Sequence, residues 1–509
     1  MSNLLHRWTL LVGILAASLG VCVAKHNILM IAIDDLRPEI AGYGFPRMHT
    51  PNMDKLIKEG TMFRRNYVQQ AVCSPSRTSL LTGRRPDTTH IYDLWTYFRS
   101  AGCNVTTLPQ FFKQQGYKTA GHGKIYHPGH ASGAGVFPTG DDPPSWTEPY
   151  FHSPNKKNFS TDAKAWATPD APEEDFPDTQ IAAAGIATMK RLADKPFFIA
   201  VGFHKPHLPF IFPKNYLDYY PEENITIAAD PFPPKDMPPI AWSDWGELRN
   251  YHDVAAMDLP TNISKDMPDD YAKELRRAYY AATSYTDAQI GKVLQSLDTL
   301  GLSANTTVLL WGDHGWQLGE LGEWCKHTNF EIAARAPLIV RTPLIPESHG
   351  TVVESLVEHV DIYPTLVDLA GFEVPKGLEG FSLVPLLKNS TAQWKTAAFS
   401  QYPRGLPKGT KRDHPHDHSM GYSVRTADWR YTEWVYFHNT TMTHDWDRNF
   451  GVELYDHRGD DGTSFAAWEN QNLANLQEFG PVVKQMSAIL RAGPQAQQEQ
   501  LHTARRQQP

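Results

Sequence analysis

Three continuous apolar runs, each closing on a polar cluster, constrain this chain more than any other feature. Asn27 to Ile33 ends in Asp34-Asp35, Pro196 to Gly202 leads into His204-Lys205-Pro206-His207, and Thr306 to Trp311 leads into Asp313-His314. Uninterrupted apolar stretches of this length read as strands covered on both faces. Amphipathic stretches between them predict helices over Asn52–Gly60, Thr107–Gly116, Asp178–Asp194, Asp269–Leu300 and Asp361–Leu369, with Asp178 as a cap. Alternating strands and helices predict an α/β fold on a mostly parallel sheet, and such sheets carry their sites beyond the carboxyl ends of the strands.

The strand tips are therefore the candidate functional residues. Adjacent carboxylates are costly to bury alone, and a cation offsets the cost. Asp34, Asp35 and Asp313 would supply hard oxygen ligands at one edge, with His314 beside them. The run Tyr117 to His127 reads as a further strand entering a loop, with Lys124 and His127 at its end. Residues 128–177 form a long irregular insertion, and a Pro-rich excursion covers 208–267.

One short stretch stands out from this framework. Cys73-Ser74-Pro75-Ser76-Arg77, followed by Leu81-Thr82-Gly83-Arg84, leads into a predicted helix over Ser76–Thr82. A helix N-terminus there would aim amide N–H groups at an anion.

Compartment and class follow from simpler features. Residues 1–24 read as a secretory signal, with His6 and Arg7 before an apolar run and Cys22-Val23-Ala24 at a cleavage site. Past it no stretch approaches the roughly 18 apolar residues of a membrane span. Seven N-x-S/T sequons, at Asn104, Asn158, Asn224, Asn262, Asn305, Asn389 and Asn439, fit a secreted or lysosomal destination. With Cys22 removed and Cys73 set apart, Cys103 and Cys325 are left either as a disulfide or as two thiols. The formal charge of −8 argues against nucleic acid as a partner, but protonating the 22 histidines in an acidic compartment would reverse its sign and favour polyanions. The chain predicts a catalytic domain over 25–398, a C-terminal subdomain of antiparallel strands over 399–495, and a polar tail over 496–509.

The Cys73 stretch resembles the signature C-x-P-S-R-x-x-x-L-T-G-R of the formylglycine-dependent sulfatases. The resemblance extends, in order, through Asp34–Pro38, Gln69–Asp87, Gly123–Gly129, Phe203–Pro209, Asp313–Lys326 and Gly421–Thr426, and is strongest to members acting on 2-sulfated uronate in glycosaminoglycans. It implies an alkaline-phosphatase-like α/β/α sandwich with a smaller C-terminal subdomain on an antiparallel sheet. It implies that Cys73 is oxidised to formylglycine by a formylglycine-generating enzyme and that Asp34, Asp35, Cys73, Asp313 and His314 surround a metal, Ca²⁺ most simply, with Mg²⁺ the alternative. Arg77 would hold the hydrated aldehyde, and Lys124, His204 and Lys326 would neutralise sulfate oxygens. His127 would assist elimination, while Asp142 and Trp316 would face the sugar. His204 is the expected proton donor to the leaving group. The expected substrate is a sulfated glycosaminoglycan oligosaccharide. Another sulfated glycan or small ester, a phosphomonoester or phosphonate, and a non-catalytic glycan-binding shell are the competing readings; oligomeric state is left open.

Overall fold

The computed structural model describes residues 25–137, 140–154, 163–264, 267–405, 418–465 and 468–506. The expected signal segment and most of the His-rich run 408–418 lie outside the described residues.

Seven strands form the central sheet: β1 (Asn27–Ile33), β2 (Thr61–Phe63), β3 (Lys118–Gly123), β4 (Phe197–Phe203), β5 (Thr306–Gly312), β6 (Leu338–Arg341) and β7 (Thr351–Val353), in the order β7-β2-β6-β5-β1-β4-β3. The pairing is parallel except where β6 runs antiparallel to β5 and β2. Alternate side chains of β1 enter two separate cores, Leu29, Ile31 and Ile33 on one face and Ile28, Met30 and Ala32 on the other. A strand buried on both faces has no polar side, which explains its uninterrupted apolar run.

Helices α1 (Pro51–Lys58), α4 (Pro177–Arg191) and α5 (Asp269–Thr299) cover the first face through Leu56, Ile181 and Leu275. Helices α2 (Cys73–Thr82), α3 (Leu108–Gln114) and α6 (Ile362–Leu369) cover the second through Leu80, Phe112 and Leu366. The result is the expected α/β/α sandwich. Thr107 caps α3 in a reciprocal box with Gln110. Asp178, expected to cap α4, sits inside its first turn and turns its carboxylate elsewhere.

Strands β8 (Ala398–Arg404), β9 (Ser419–Arg425), β10 (Trp429–His438) and β11 (Thr443–Asp456) form an antiparallel sheet whose Val424, Tyr431 and Leu454 pack on Met486 and Leu490 of α7 (Gly480–Arg506). Helix α7 breaks at Gly493 and continues to Arg506, through the stretch where a polar tail was expected. Its Leu501 joins the second core, a contact at long range that local polarity does not reveal. Arg425 and Arg430 reach from this sheet to Glu331, at 3.0 and 2.6 Å. Cys103 and Cys325 are both buried and unpaired.

Candidate active site

Strand register gathers the site. Ile33 pairs with Phe203 on one side and Gly312 on the other, and Gly123 pairs with Gly202. Asp34-Asp35, His204, Asp313-His314 and Lys124 therefore leave the sheet at one edge. Two glycines make the approach possible: a Cβ on Gly202 would lie 2.2 Å from the Lys124 carbonyl oxygen, and one on Gly123 2.1 Å from that of Gly202.

Cys73 opens α2 opposite this edge. Val72 before it is extended and offers no side-chain cap, so the first-turn amides and the positive end of the helix dipole face the site. The buried Sγ lies 3.4 Å from His314 Nε2, 3.5 Å from Lys124 Nζ and 3.6 Å from both Lys326 Nζ and Asp34 Oδ1. Burial alone would raise the thiol pKa, but Lys124 and Lys326 outweigh it and, with hydrogen bonds from His127 and His207, hold it well below the ordinary range. One turn on, buried Arg77 donates to Asp34 Oδ1 and Asp313 Oδ2, each at 2.9 Å, and to the carbonyls of Lys124 and Ile125. These donors brace the carboxylates rather than reaching residue 73.

The donor set fits a divalent cation. One ligand atom each from Asp35, Cys73, Asp313 and His314 lies within 4.8 Å of the others, and the same holds for Asp34, Asp35, Cys73 and His207. Asp35 is held at φ 59, in the left-handed region, while its N–H donates to Asp313 Oδ1 at 2.9 Å. Burial, reinforced by Cys73 and Asp34, raises Asp313 to about 7 despite Arg77 and His314. Burial likewise raises Asp35. Hard oxygens crowded in this way suit a doubly charged ion, which would favour their ionised forms.

Lys124 Nζ lies 2.5 Å from Asp34 Oδ2, and Lys326 Nζ lies 2.8 Å from Asp35 Oδ1. Lys326 also stands over the Trp316 ring, 4.9 Å from its centroid. Lys326 is flanked by Cys325 and His327, both at positive φ (71° and 77°), and Arg404 of β8 donates to the His327 carbonyl at 2.8 Å. His127 hydrogen-bonds the Cys73 side chain, and its buried Nδ1 has no partner among the described residues.

Three of the expected residues have the following surroundings in the structure. The N–H and Nδ1 of His204 engage Asp178 Oδ1 at 2.9 and 3.2 Å, and it is His207, after the turn that follows, that hydrogen-bonds the Cys73 side chain. Asp142 is buried in an ion pair with Arg99 (2.5 Å) and accepts from Ser145 (2.6 Å), so it faces the protein interior. Trp316 is 1% exposed and forms the floor beneath Lys326 rather than a sugar-facing wall. His207 and Glu247 are the residues that sequence reasoning missed. His207 stood in the same tetrapeptide as His204, while Glu247 comes from the Pro-rich excursion with no motif to mark it. Glu247 lies 3.1 Å from both His207 Nε2 and Lys326 Nζ.

Comparison with known proteins is consistent with this arrangement. The sulfatase family model matches residues 26–372, and a model of the C-terminal part of N-sulphoglucosamine sulphohydrolase matches 319–492. Iduronate 2-sulfatase of Mus musculus is 38% identical over 492 residues, covering 84% of this chain and 88% of that protein. The Homo sapiens protein is 37% identical over 494 residues with the same coverage. In fold, the chain is similar to a phosphonate monoester hydrolase from Silicibacter pomeroyi, with a TM-score of 0.73 at 22% identity over 92% of this chain and 95% of the other.

Proposed function

The chain belongs to the sulfatase family and hydrolyses sulfate esters, and from that premise we propose that it removes the 2-O-sulfate from terminal iduronate in heparan and dermatan sulfate. The observation that carries the substrate is the 38% identity to an iduronate 2-sulfatase across 84% of the chain. The ring of cations about Cys73 supports it, since a sulfuryl group gains negative charge on its oxygens as the ester bond breaks.

Asp34, Asp35, Asp313 and His314, with the side chain of residue 73, would hold Ca²⁺, or alternatively Mg²⁺. The bound ion supplies Lewis-acid charge, and formylglycine made from Cys73 supplies, as its hydrate, one hydroxyl to attack sulfur and a second whose proton loss expels sulfate. Lys124 and Lys326 flank the sulfate oxygens from two sides, with ammonium groups whose positions Asp34 and Asp35 set. Arg77 keeps Asp34 and Asp313 apart and aimed, so the cluster needs little rearrangement during the reaction. His127, through the nitrogen facing residue 73, takes the proton in the release step. His207 replaces His204 as donor to the leaving sugar oxygen, because it is His207 that hydrogen-bonds the Cys73 side chain. Exposed sequon asparagines such as Asn104, Asn224 and Asn262 support a secretory route to a lysosomal or extracellular destination.

The test compares release of sulfate from oligosaccharides capped by 2-O-sulfated iduronate with turnover of aryl sulfate and aryl phosphonate. Preference for the capped oligosaccharide is the expected result, and comparable or better turnover of the aryl esters overturns the substrate. Cys73→Ala is expected to fold and to lose about four orders of magnitude in kcat. A mass measurement of the peptide spanning Cys73 reads its conversion to the aldehyde directly.

A further inference from the structure

We propose that Glu247 is a positioning residue for sulfate capture, holding Lys326 and His207 as a fixed pair of donors facing residue 73; the inference rests on the sulfatase reading of the site. An ammonium has three donors in a tetrahedral arrangement. Asp35 takes one from Lys326 at 2.8 Å, and Glu247 Oε2 takes a second at 3.1 Å. The third is left toward Cys73 Sγ, 3.6 Å away. Glu247 Oε1 meets His207 Nε2 at 3.1 Å, so one carboxylate sets two cations at once.

Asp35 cannot perform this task alone. It belongs to the cluster that would hold the cation, whereas Glu247 stands outside that cluster. Lys326 is 1% exposed and Glu247 21%, which places Glu247 on the solvent side of the pair. Without it, a buried lysine and a histidine would share one carboxylate already committed to a metal.

The segment carrying Glu247 is firmly anchored. The Trp245 indole is buried and donates to the Gly322 carbonyl at 3.1 Å. Arg249 donates to the carbonyls of Asp244 at 2.6 Å and Leu259 at 2.7 Å. The carboxylate is thus presented from a braced loop to a lysine whose own backbone is held between two left-handed residues. A donor displaced by about 1 Å loses much of its effect on a reacting group, which is why such bracing matters.

Glu247→Ala and Glu247→Gln in the full chain test the role, read by kcat and KM on the capped oligosaccharide and by calorimetric binding of inorganic sulfate. The Ala variant should lose about 10- to 100-fold in kcat/KM, with sulfate binding weakened and the melting temperature within about 3 °C. Gln, which keeps an oxygen acceptor at the same place, should lose less. In a Lys326→Ala background, Glu247→Ala should change sulfate affinity far less than in the parent, because the two act through one another. Unchanged kcat/KM, tighter sulfate binding in Glu247→Ala, or additive effects of the two substitutions overturns the proposal. Sulfate binding reads the role even where the oligosaccharide is not turned over, so a wrong substrate and a wrong role for Glu247 give different results.

Discussion

Arg77 Nε donates to Asp313 Oδ2 at 2.9 Å across 236 residues of sequence, and neither side chain is exposed. The same guanidinium holds Asp34, so a residue one turn into α2 bolts two strand ends together. Removing it strands two buried carboxylates. Arg77→Ala should cost about 3 to 5 kcal/mol, measured by denaturant unfolding, and abolish activity. Arg77→Lys should restore little, because an ammonium lacks the planar fork that reaches Asp34, Asp313 and the carbonyls of Lys124 and Ile125 together. Wild-type stability in the Ala variant would refute the bracing role.

His207 and His204 separate cleanly. His207→Ala should lower kcat by about 10²- to 10⁴-fold with modest loss of stability. His204→Ala should act mainly on stability, since His204 is tied to Asp178. A reversed pattern in steady-state kinetics would return His204 to the proton-transfer role.

Asp142 should behave as a structural residue. Asp142→Asn removes the charge facing Arg99 and should cost about 1 to 3 kcal/mol in thermal or denaturant unfolding. KM for the oligosaccharide should stay within about twofold, a factor worth under 0.5 kcal/mol. A large rise in KM at unchanged stability would show that Asp142 touches the sugar.

His122, on β3, links pH to stability. Its Nδ1 donates to the Ala200 carbonyl at 3.1 Å and its Nε2 lies 3.0 Å from the Thr188 hydroxyl. Burial lowers its pKa to about 4 from 6.5. The unfolded chain binds the proton more readily, so this contribution is complete above pH 6.5 and is lost as pH falls toward 4. It amounts to about 3 kcal/mol. Unfolding of wild type and His122→Gln between pH 7 and 4 should show the steeper fall in wild type, and parallel curves would exclude the linkage.

Chelation should lower both activity and melting temperature, because Asp34, Asp35 and Asp313 then face one another without a divalent ion. Added Ca²⁺ should restore both, and full recovery with Mg²⁺ alone would reassign the ion. A melting temperature insensitive to chelator and to added ions would argue against a cation at this cluster.

Much of the framework was legible in the sequence because it rests on local physics. Strands buried on both faces must be apolar throughout, so β1, β4 and β5 announce themselves, and the carboxylates after β1 and β5 stand out against that background. Cys73 was found through its neighbours Pro75 and Arg77. The stretch 496–509 reads as a polar tail rather than as the end of α7, because its polarity reveals nothing of the buried Leu501 that holds the helix in place.

Taken alone, the order of residues determined which strands exist, what chemistry each strand tip carries and which cysteine is special. Tertiary structure decided which of those groups meet. The register that sets Ile33 beside both Phe203 and Gly312 converts separate tips into one cluster. Capture of His204 by Asp178 turns His207 inward, and Arg99 draws Asp142 into the interior. Glu247 arrives from a loop without any pattern. A side chain's direction depends on partners hundreds of residues away, and residue type and spacing along the chain do not encode which partner will be there.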